Sequence, residues 1–541
     1  DTARVRGTHG RAGEGAATLP RVKQLGLSIL RGLAGNGKAT VKLDVDQMKL
    51  GGETTGAMRV DAERQGTALR LKELRAGIPG GARLELSGDL KDAAGSISFV
   101  GTGFVHGTNF ARLLAWAKKS GADLDVRADG PFSAEGRVLI ADDRLELTEV
   151  SAAIGGRPFA GDISVSGDTR REVAVTLEAA RIDTSELFPE TAAVLDLHLR
   201  RALGLAVPSG VDAAKTSKDA PDTSDITVRL LAGELKHGDA TYRDVDIAVR
   251  LDGDRIRIPS AKFTTAGGLM ARVDARISTE GDAPQGTLAY DVAAQNPRAV
   301  QDFADFSGIA ALVPTAKLSK INTVKAAGLL RLGLRDAASA DISLDGTVDA
   351  ARIQATAEFD GGLKGWRTAP SRTRLTARAP SLAGVLAAFA IDTHRPIEPS
   401  AHEAELVVAT TGILHQGATA LADLTAPGFD ATLRGTASMS AERALSVAAT
   451  VNLKAAEVVE ALAAAGISSG AGLAGIPLEG TLDLNRDVHR LALASRQLKA
   501  AGATIKGSAV LAVADDQAPS ITADLEADTV PINALLAALA E

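Results

Sequence analysis

The sequence predicts a mainly β protein: a long antiparallel sheet built from diverged repeats, with short capping helices. Three observations carry this. Apolar and polar residues alternate with period two over many short stretches. Glycine-bearing turns separate those stretches every ~8–12 residues, the spacing of an all-β chain. Helical patterns are few and short. The core must be aliphatic, because the 541 residues include only 12 Phe, 2 Tyr and 2 Trp. Hydrophobic residues make up 45%, enough to exclude global disorder.

Taken in order, the alternating stretches begin with Val41-Lys42-Leu43-Asp44-Val45 and Leu69-Arg70-Leu71-Lys72. Leu84-Glu85-Leu86, Leu145-Glu146-Leu147 and Val173-Ala174-Val175 follow. Ile226-Thr227-Val228-Arg229-Leu230, Val245-Asp246-Ile247-Ala248-Val249 and Ile256-Arg257-Ile258 continue the series. Each reads as a half-buried antiparallel strand with one apolar and one wet face. Residues 109–119 put Phe110, Leu113, Leu114 and Ala117 on one helical stripe, with Asn109 as N-cap. Similar short helices are expected at 185–201, 299–306, 381–391, 455–465 and 533–539.

These elements recur. One unit reads strand, turn, strand starting near a Gly-Gly pair, strand, short helix. Copies begin at Thr67, Asp143 and Asp254, with a degenerate fourth at Asp487. The spacing is irregular, so this is a diverged array and not a strict solenoid. The polar, Pro-bearing stretch 207–224 reads as a linker, and 392–400 as a weaker boundary. The division is therefore 1–38, a polar N-terminal segment; 39–206, a first β-repeat region; the linker 207–224; 225–391, a second region; and 392–541, a C-terminal region ending in a short helix.

Several functions are excluded. Without cysteine there are no disulfides, thiolate metal sites or cysteine nucleophile. With 60 basic and 67 acidic residues interspersed, no basic footprint for nucleic acid exists. No signal peptide or transmembrane helix is visible; 461–478 is the longest uncharged run, and its glycines and Pro477 break helices. The chain lacks an initiator Met and reads as a piece of a larger protein, with any anchor outside it.

Three glycine motifs fail on context. Gly32 to Lys38 matches a P-loop, but Ala39 stands where Ser or Thr should hold magnesium, and a strand follows. Gly101, Gly103 and Gly107 resemble a dinucleotide turn, but no βαβ unit closes around them. Gly466-Ile467-Ser468-Ser469-Gly470 has the nucleophile-elbow pattern in a helix-to-loop setting. The eight histidines are scattered, and His402-Glu403 lacks a second His at 406. No catalytic constellation, cofactor or metal site is expected, and the chain reads as a non-enzyme.

Residues 67–117 carry a resemblance. The run ending Ile78-Pro79-Gly80-Gly81-Ala82, the alternating strand to Gly88, and the helix with Leu113-Leu114-Ala115-Trp116 resemble the AsmA family of Gram-negative bacteria. The stretches Leu344 to Ala350 and Glu358 to Gly362 look like alphaproteobacterial members. The likeness covers about 40–540 and is strongest in the first half. It implies a periplasmic body, anchored to the inner membrane through a segment outside this chain. It also implies an architecture similar to bridge-like lipid transfer proteins: an elongated, curved, trough-like antiparallel β-sheet groove. The implied activity is lipid transfer supporting outer-membrane and envelope biogenesis, with phospholipid acyl chains as partners.

On the residues alone, the apolar strand face suits an acyl-chain groove and a dry sandwich interior equally; the resemblance favours the groove. Its expected lining is Leu69, Leu71, Leu84, Leu86, Leu145, Leu147, Val173, Val175, Ile226, Val228, Ile256 and Ile258. The alternative is a structural assembly factor that binds outer-membrane proteins or envelope machinery by adding strands at sheet edges, without carrying lipid. A secreted β-solenoid adhesin would need regular short repeats and Asn or Thr ladders, which are missing.

Overall fold

The structure, a computed structural model, describes residues 38–529 apart from 51–52, 66–67, 94–95, 120–127, 142, 168–170, 188–223, 281–282, 308–317, 337, 390–402, 441–444, 459, 462–474, 488–489, 501 and 513–519. The expected segment 1–38 apart from Lys38, the linker 207–224 apart from Ser224, the boundary at 392–400, the expected helix 185–201 beyond Leu187, the expected helix 455–465 at 459 and beyond Ala461, the helix at 533–539 and the motifs at Gly32 and Gly466 lie outside these residues.

The chain is mainly β. Among the described residues there are 28 strands, of which 26 belong to one hydrogen-bonded sheet, and β2 (Met48–Leu50) and β3 (Glu53–Thr55) form a separate hairpin. The chain divides into two compact units: Asp1–His198 with Gly210–Phe263, and Leu199–Ser209 with Thr264–Glu541.

In the first unit, β1 (Ala39–Val45) pairs with β4 (Met58–Gln65). The ladder continues through β5 (Ala68–Ile78), β6 (Ala82–Ala93), β7 (Ser96–Gly107), β8 (Phe132–Ile140), β9 (Arg144–Ile154), β10 (Arg157–Ser166) and β11 (Arg171–Asp183). All these pairs are antiparallel. The next is not: β11 and β12 (Ser224–His237) run parallel, with Val173 opposite Ile226. The sequence reading expected only antiparallel neighbours. A parallel pair needs a long return connection, and residues 184–223 separate the two strands in sequence. β12 then pairs antiparallel with β13 (Ala240–Asp252). β14 (Arg255–Thr265) straddles the division between units.

The second unit is an antiparallel meander. It runs through β15 (Met270–Ser278), β16 (Gln285–Ala294), β17 (Val324–Leu332), β18 (Ala340–Val348), β19 (Ala351–Phe359), β20 (Ser371–Ala379) and β21 (Ala404–Gly412). β22 (Ala418–Ala426), β23 (Phe429–Met439), β24 (Leu445–Ala455), β25 (Leu478–Arg486), β26 (Arg490–Ala500), β27 (Ala503–Ala512) and β28 (Ser520–Ala527) complete it.

Short helices follow β7, β11, β16 and β20: α1 (Phe110–Lys119), α2 (Thr184–Leu187), α3 (Pro297–Ser307) and α4 (Leu382–Ala388). Val458, Glu460 and Ala461 are helical after β24. The repeat is therefore four strands and a helix, with a fifth strand before α3; the sequence reading counted three strands. It also passed over two copies, at 340–388 and 418–461. Their hairpins use Asp349, at φ 47°, and Gly428, at φ 76°, where the copies beginning at Thr67, Asp143 and Asp254 use Gly-Gly.

In the first and third copies the Gly-Gly hairpin lies against the helix, the Gly267 N–H donating to Asp302 of α3. In the first copy Gly80 accepts a hydrogen bond from the Asn109 N–H, and Asn109 Oδ1 caps α1 by accepting from the Arg112 N–H at 2.8 Å. Gly80 has φ 89°, and a Cβ there would meet the Asn109 carbonyl oxygen at 2.8 Å. Only glycine suits both conditions.

Packed core sits at this helix end, and in the second unit Leu330, Leu332 and Ala340 form a further buried cluster at the opposite end of the strands. In the second unit Leu382, Val385 and Leu386 of α4 bury against Ala351, Ile353, Ala377, Ala404, Phe429, Ala455 and Leu478. In the first unit Phe159, Ala179, Ile182, Ala232, Leu235 and Val245 close the corresponding end.

Candidate functional site

Strand register sorts side chains onto two faces, because neighbours in register point the same way. In the first unit one row reads Leu69, Leu90, Phe99, Ile140, Leu145, Val165, Val173, Ile226, Leu251 across nine strands. The next reads Val41, Ala62, Leu71, Gly88, Gly101, Val138, Leu147, Ile163, Val175, Val228, Val249. A third includes Leu43, Val60, Leu74, Leu86 and Gly103, and a fourth Val45, Met58, Ala76, Leu84 and Val105.

The structure thus places ten of the twelve sequence-selected residues on one face, in these four rows. Ile256 and Ile258 lie on β14 and are buried. Leu69 is also buried, and Leu145 is 39% exposed. The other eight are half-buried.

Sequence reasoning missed the remaining members. Leu74 and Val150 were missed because strict alternation puts them on the wrong face. A bulge at Lys72 and Glu73 restores Leu74 to the face of Leu71, and another at Glu149, at φ 53°, does the same for Val150. β26 repeats the device between Ser495 and Leu498. The spacing Leu-x-Leu-x-x-apolar at Leu69, Leu71, Leu74 and at Leu145, Leu147, Val150 is the signal that could have found it.

The glycines of the dinucleotide-like motif lie inside β7 on this apolar face. A Cβ at Gly101 would meet the Phe99 ring at 2.7 Å, and one at Gly107 the Phe132 ring at 2.6 Å. Aromatic rings fill the room that these glycines leave.

The second unit repeats the arrangement with smaller residues, although no residue there was selected from the sequence. One row reads Val273, Tyr290, Gly328, Leu344, Ala355, Leu375, Val408, Ala422, Leu433, Val451, Leu482. The Tyr290 ring lies over Gly328, and burial pushes its phenol above the ordinary range. A polar break at Thr373 and Thr410 is internally satisfied, the two hydroxyls being 2.7 Å apart.

The opposite face is charged and exposed. Arg59 pairs with Asp44 at 2.7 Å, Arg70 with Asp89 at 2.9 Å, Arg378 with Glu405 at 2.7 Å and Arg496 with Asp483 at 2.6 Å. The Arg70 guanidinium holds Asp89 below the usual carboxylate range, and Arg496 does the same to Asp483. These cross-strand pairs set register and keep that face in water.

A dry sandwich interior buries its central rows fully. Here the rows beside the helices are buried, as are Leu332, Ala340 and Ala437 at the other end of the second unit, while Leu71, Leu86, Leu147, Val408 and Val451 between them stay half-buried and Leu145 and Ile163 are each 39% exposed. The middle of each face is therefore open.

Among the described residues, no group of three or more His, Asp or Glu is placed to hold a metal ion, and no helix is long and apolar enough to cross a membrane. No family model matches the chain, and no curated protein compared with it matches.

Proposed function

We propose that this chain is a non-enzymatic, AsmA-like lipid-binding body that passes phospholipid along an aliphatic strand face. In this reading it lies in the periplasm, is anchored to the inner membrane through a segment outside these residues, and supports outer-membrane and envelope biogenesis. The observation that carries the proposal is the open middle of the apolar rows, which leaves aliphatic surface available to a guest.

The energetics favour exchange over storage. A methylene laid on an open face loses about half its contact with water and gains roughly 0.4 kcal/mol, half of the ~0.8 kcal/mol for full burial. A 16-carbon chain then gains about 6 kcal/mol, and a two-chain lipid about 12 kcal/mol. Association costs ~4–15 kcal/mol. The balance leaves a guest that binds and moves on, and rows of near-identical residues offer no deep minimum to stop it.

Native mass spectrometry and lipid extraction of the purified chain test this. Co-purifying phospholipid is expected. Asp at Leu86 and Leu147 together should abolish it while leaving the fold intact, because both side chains border solvent. Unfolding of that variant, or a wild-type chain that takes up no lipid, would overturn the proposal.

A further inference from the structure

β25 ends on a residue that does not belong to its face. It alternates Leu478, Gly480, Leu482, Leu484 on the apolar side with Glu479, Thr481, Asp483, Asn485 on the other. The next apolar-side position is Arg486. The register with β24 runs unbroken from Ala455 opposite Leu478 to Val447 opposite Arg486, so no bulge turns it away. On its other side stands Leu491 of β26.

Arg486 is exposed, and its guanidinium has no hydrogen-bond or ion-pair partner among the described residues. It contrasts with Arg496 and Arg378 on the charged face, which are paired with Asp483 and Glu405. Among the described positions in register with it from β15 to β27, Arg486 is the one charged residue. It lies toward the strand ends remote from the helices, next to the row of Met439 and Leu445, and Leu445 is 49% exposed. A cation with no partner among the described residues is therefore held at the margin of an open aliphatic surface. That is the complement of an amphiphile with acyl chains and an anionic head.

We propose that Arg486 is a headgroup-binding residue, whose guanidinium takes the phosphate of an anionic phospholipid while the acyl chains lie on the rows containing Val447, Leu484 and Leu493. This rests on the lipid-binding reading above and gives it a substrate class and a fixed point. Arginine suits the role because its planar fork bonds two phosphate oxygens at once and it stays charged at any physiological pH.

The test uses the full chain and soluble short-chain probes in titration calorimetry: dioctanoyl phosphatidylglycerol, dioctanoylglycerol without phosphate, and inorganic phosphate alone. The wild type is expected to bind the phosphatidylglycerol about tenfold tighter than the dioctanoylglycerol, the scale of one charge-assisted contact. R486Q should remove that preference and leave dioctanoylglycerol binding unchanged. R486K, which keeps the charge without the fork, should fall between. Equal affinities of the wild type for both lipids, or an R486Q that keeps the preference, would overturn the headgroup role while leaving the lipid-binding reading standing. Inorganic phosphate binding as tightly as the lipid would assign the residue to free phosphate and overturn it too. Failure of both lipids to bind would remove the lipid-binding reading, and this inference with it. Unchanged circular dichroism and thermal unfolding of R486Q would show that any loss is local.

Discussion

Two isoleucines of the first unit form a matched pair for separating an open face from a packed core. Ile182 of β11 is 1% exposed, packed among Phe159, Leu235 and Val245. Ile163 of β10 is 39% exposed, in the row between Leu147 and Val175. Truncation to Ala removes the same three carbons from each, worth ~2.4 kcal/mol at about 0.8 kcal/mol per fully buried methylene. At Ile163 the remaining burial scales this to ~1.5 kcal/mol, and water enters freely, so no cavity term is added. At Ile182 the full transfer term applies and an internal void adds to it, giving about 3–4 kcal/mol. Native-state hydrogen exchange on β10 and β11 reads both losses locally and needs no two-state assumption for the whole chain. The Ile182→Ala loss should exceed the Ile163→Ala loss by roughly 2 kcal/mol. Equal losses would mean that protein covers both residues, and the open-face argument would fall.

Other consequences can be checked with single substitutions. Gly101→Val forces a Cβ to within 2.1 Å of the Ser87 carbonyl oxygen and into the Phe99 ring; a marked drop in thermal stability is expected, with Phe99→Ala partly relieving it. Ser381→Ala removes the α4 N-cap, whose hydroxyl accepts from the Gly384 N–H at 3.2 Å, and should cost about 1 kcal/mol by denaturant unfolding of the second unit. Burial raises the Tyr290 phenol, so the folded state holds its proton more tightly than the unfolded state. That stability is complete below the unfolded tyrosine pKa of ~10 and is lost as pH rises through the folded value. Ultraviolet titration should show a late-ionising tyrosine component, and Tyr290→Phe should remove it.

Much of the fold was legible because antiparallel strands with one wet face write their period directly into the sequence. Val173 and Val175, or Ile226 and Val228, sit where alternation puts them. The repeat was only partly legible. Gly-Gly marks it in some copies, but the physical requirement is a tight turn, which Asp349 and Gly428 meet equally well. Bulges were invisible because they break the period that was being read, so Leu74 and Val150 went unassigned. The parallel pairing of β11 with β12 left no trace in either strand, since parallel and antiparallel partners share the same faces. Arg486 was passed over because a strand-terminal arginine looks like turn chemistry; only the register with Val447 places it on the apolar side.

The most direct measurement of the central claim is photocrosslinking of the full chain with a phospholipid carrying a diazirine on its acyl chain, with the modified residues mapped by mass spectrometry. Exposed aliphatic side chains occur on both faces, so the experiment contains its own control. Leu145 and Ile163 belong to the apolar rows, while Val100 and Leu421, at 49% and 43% exposure, lie on the charged face. The account predicts label at Leu145, Ile163 and Val451 and little at Val100 or Leu421. Label divided evenly between the two faces, or no label on either, would contradict it.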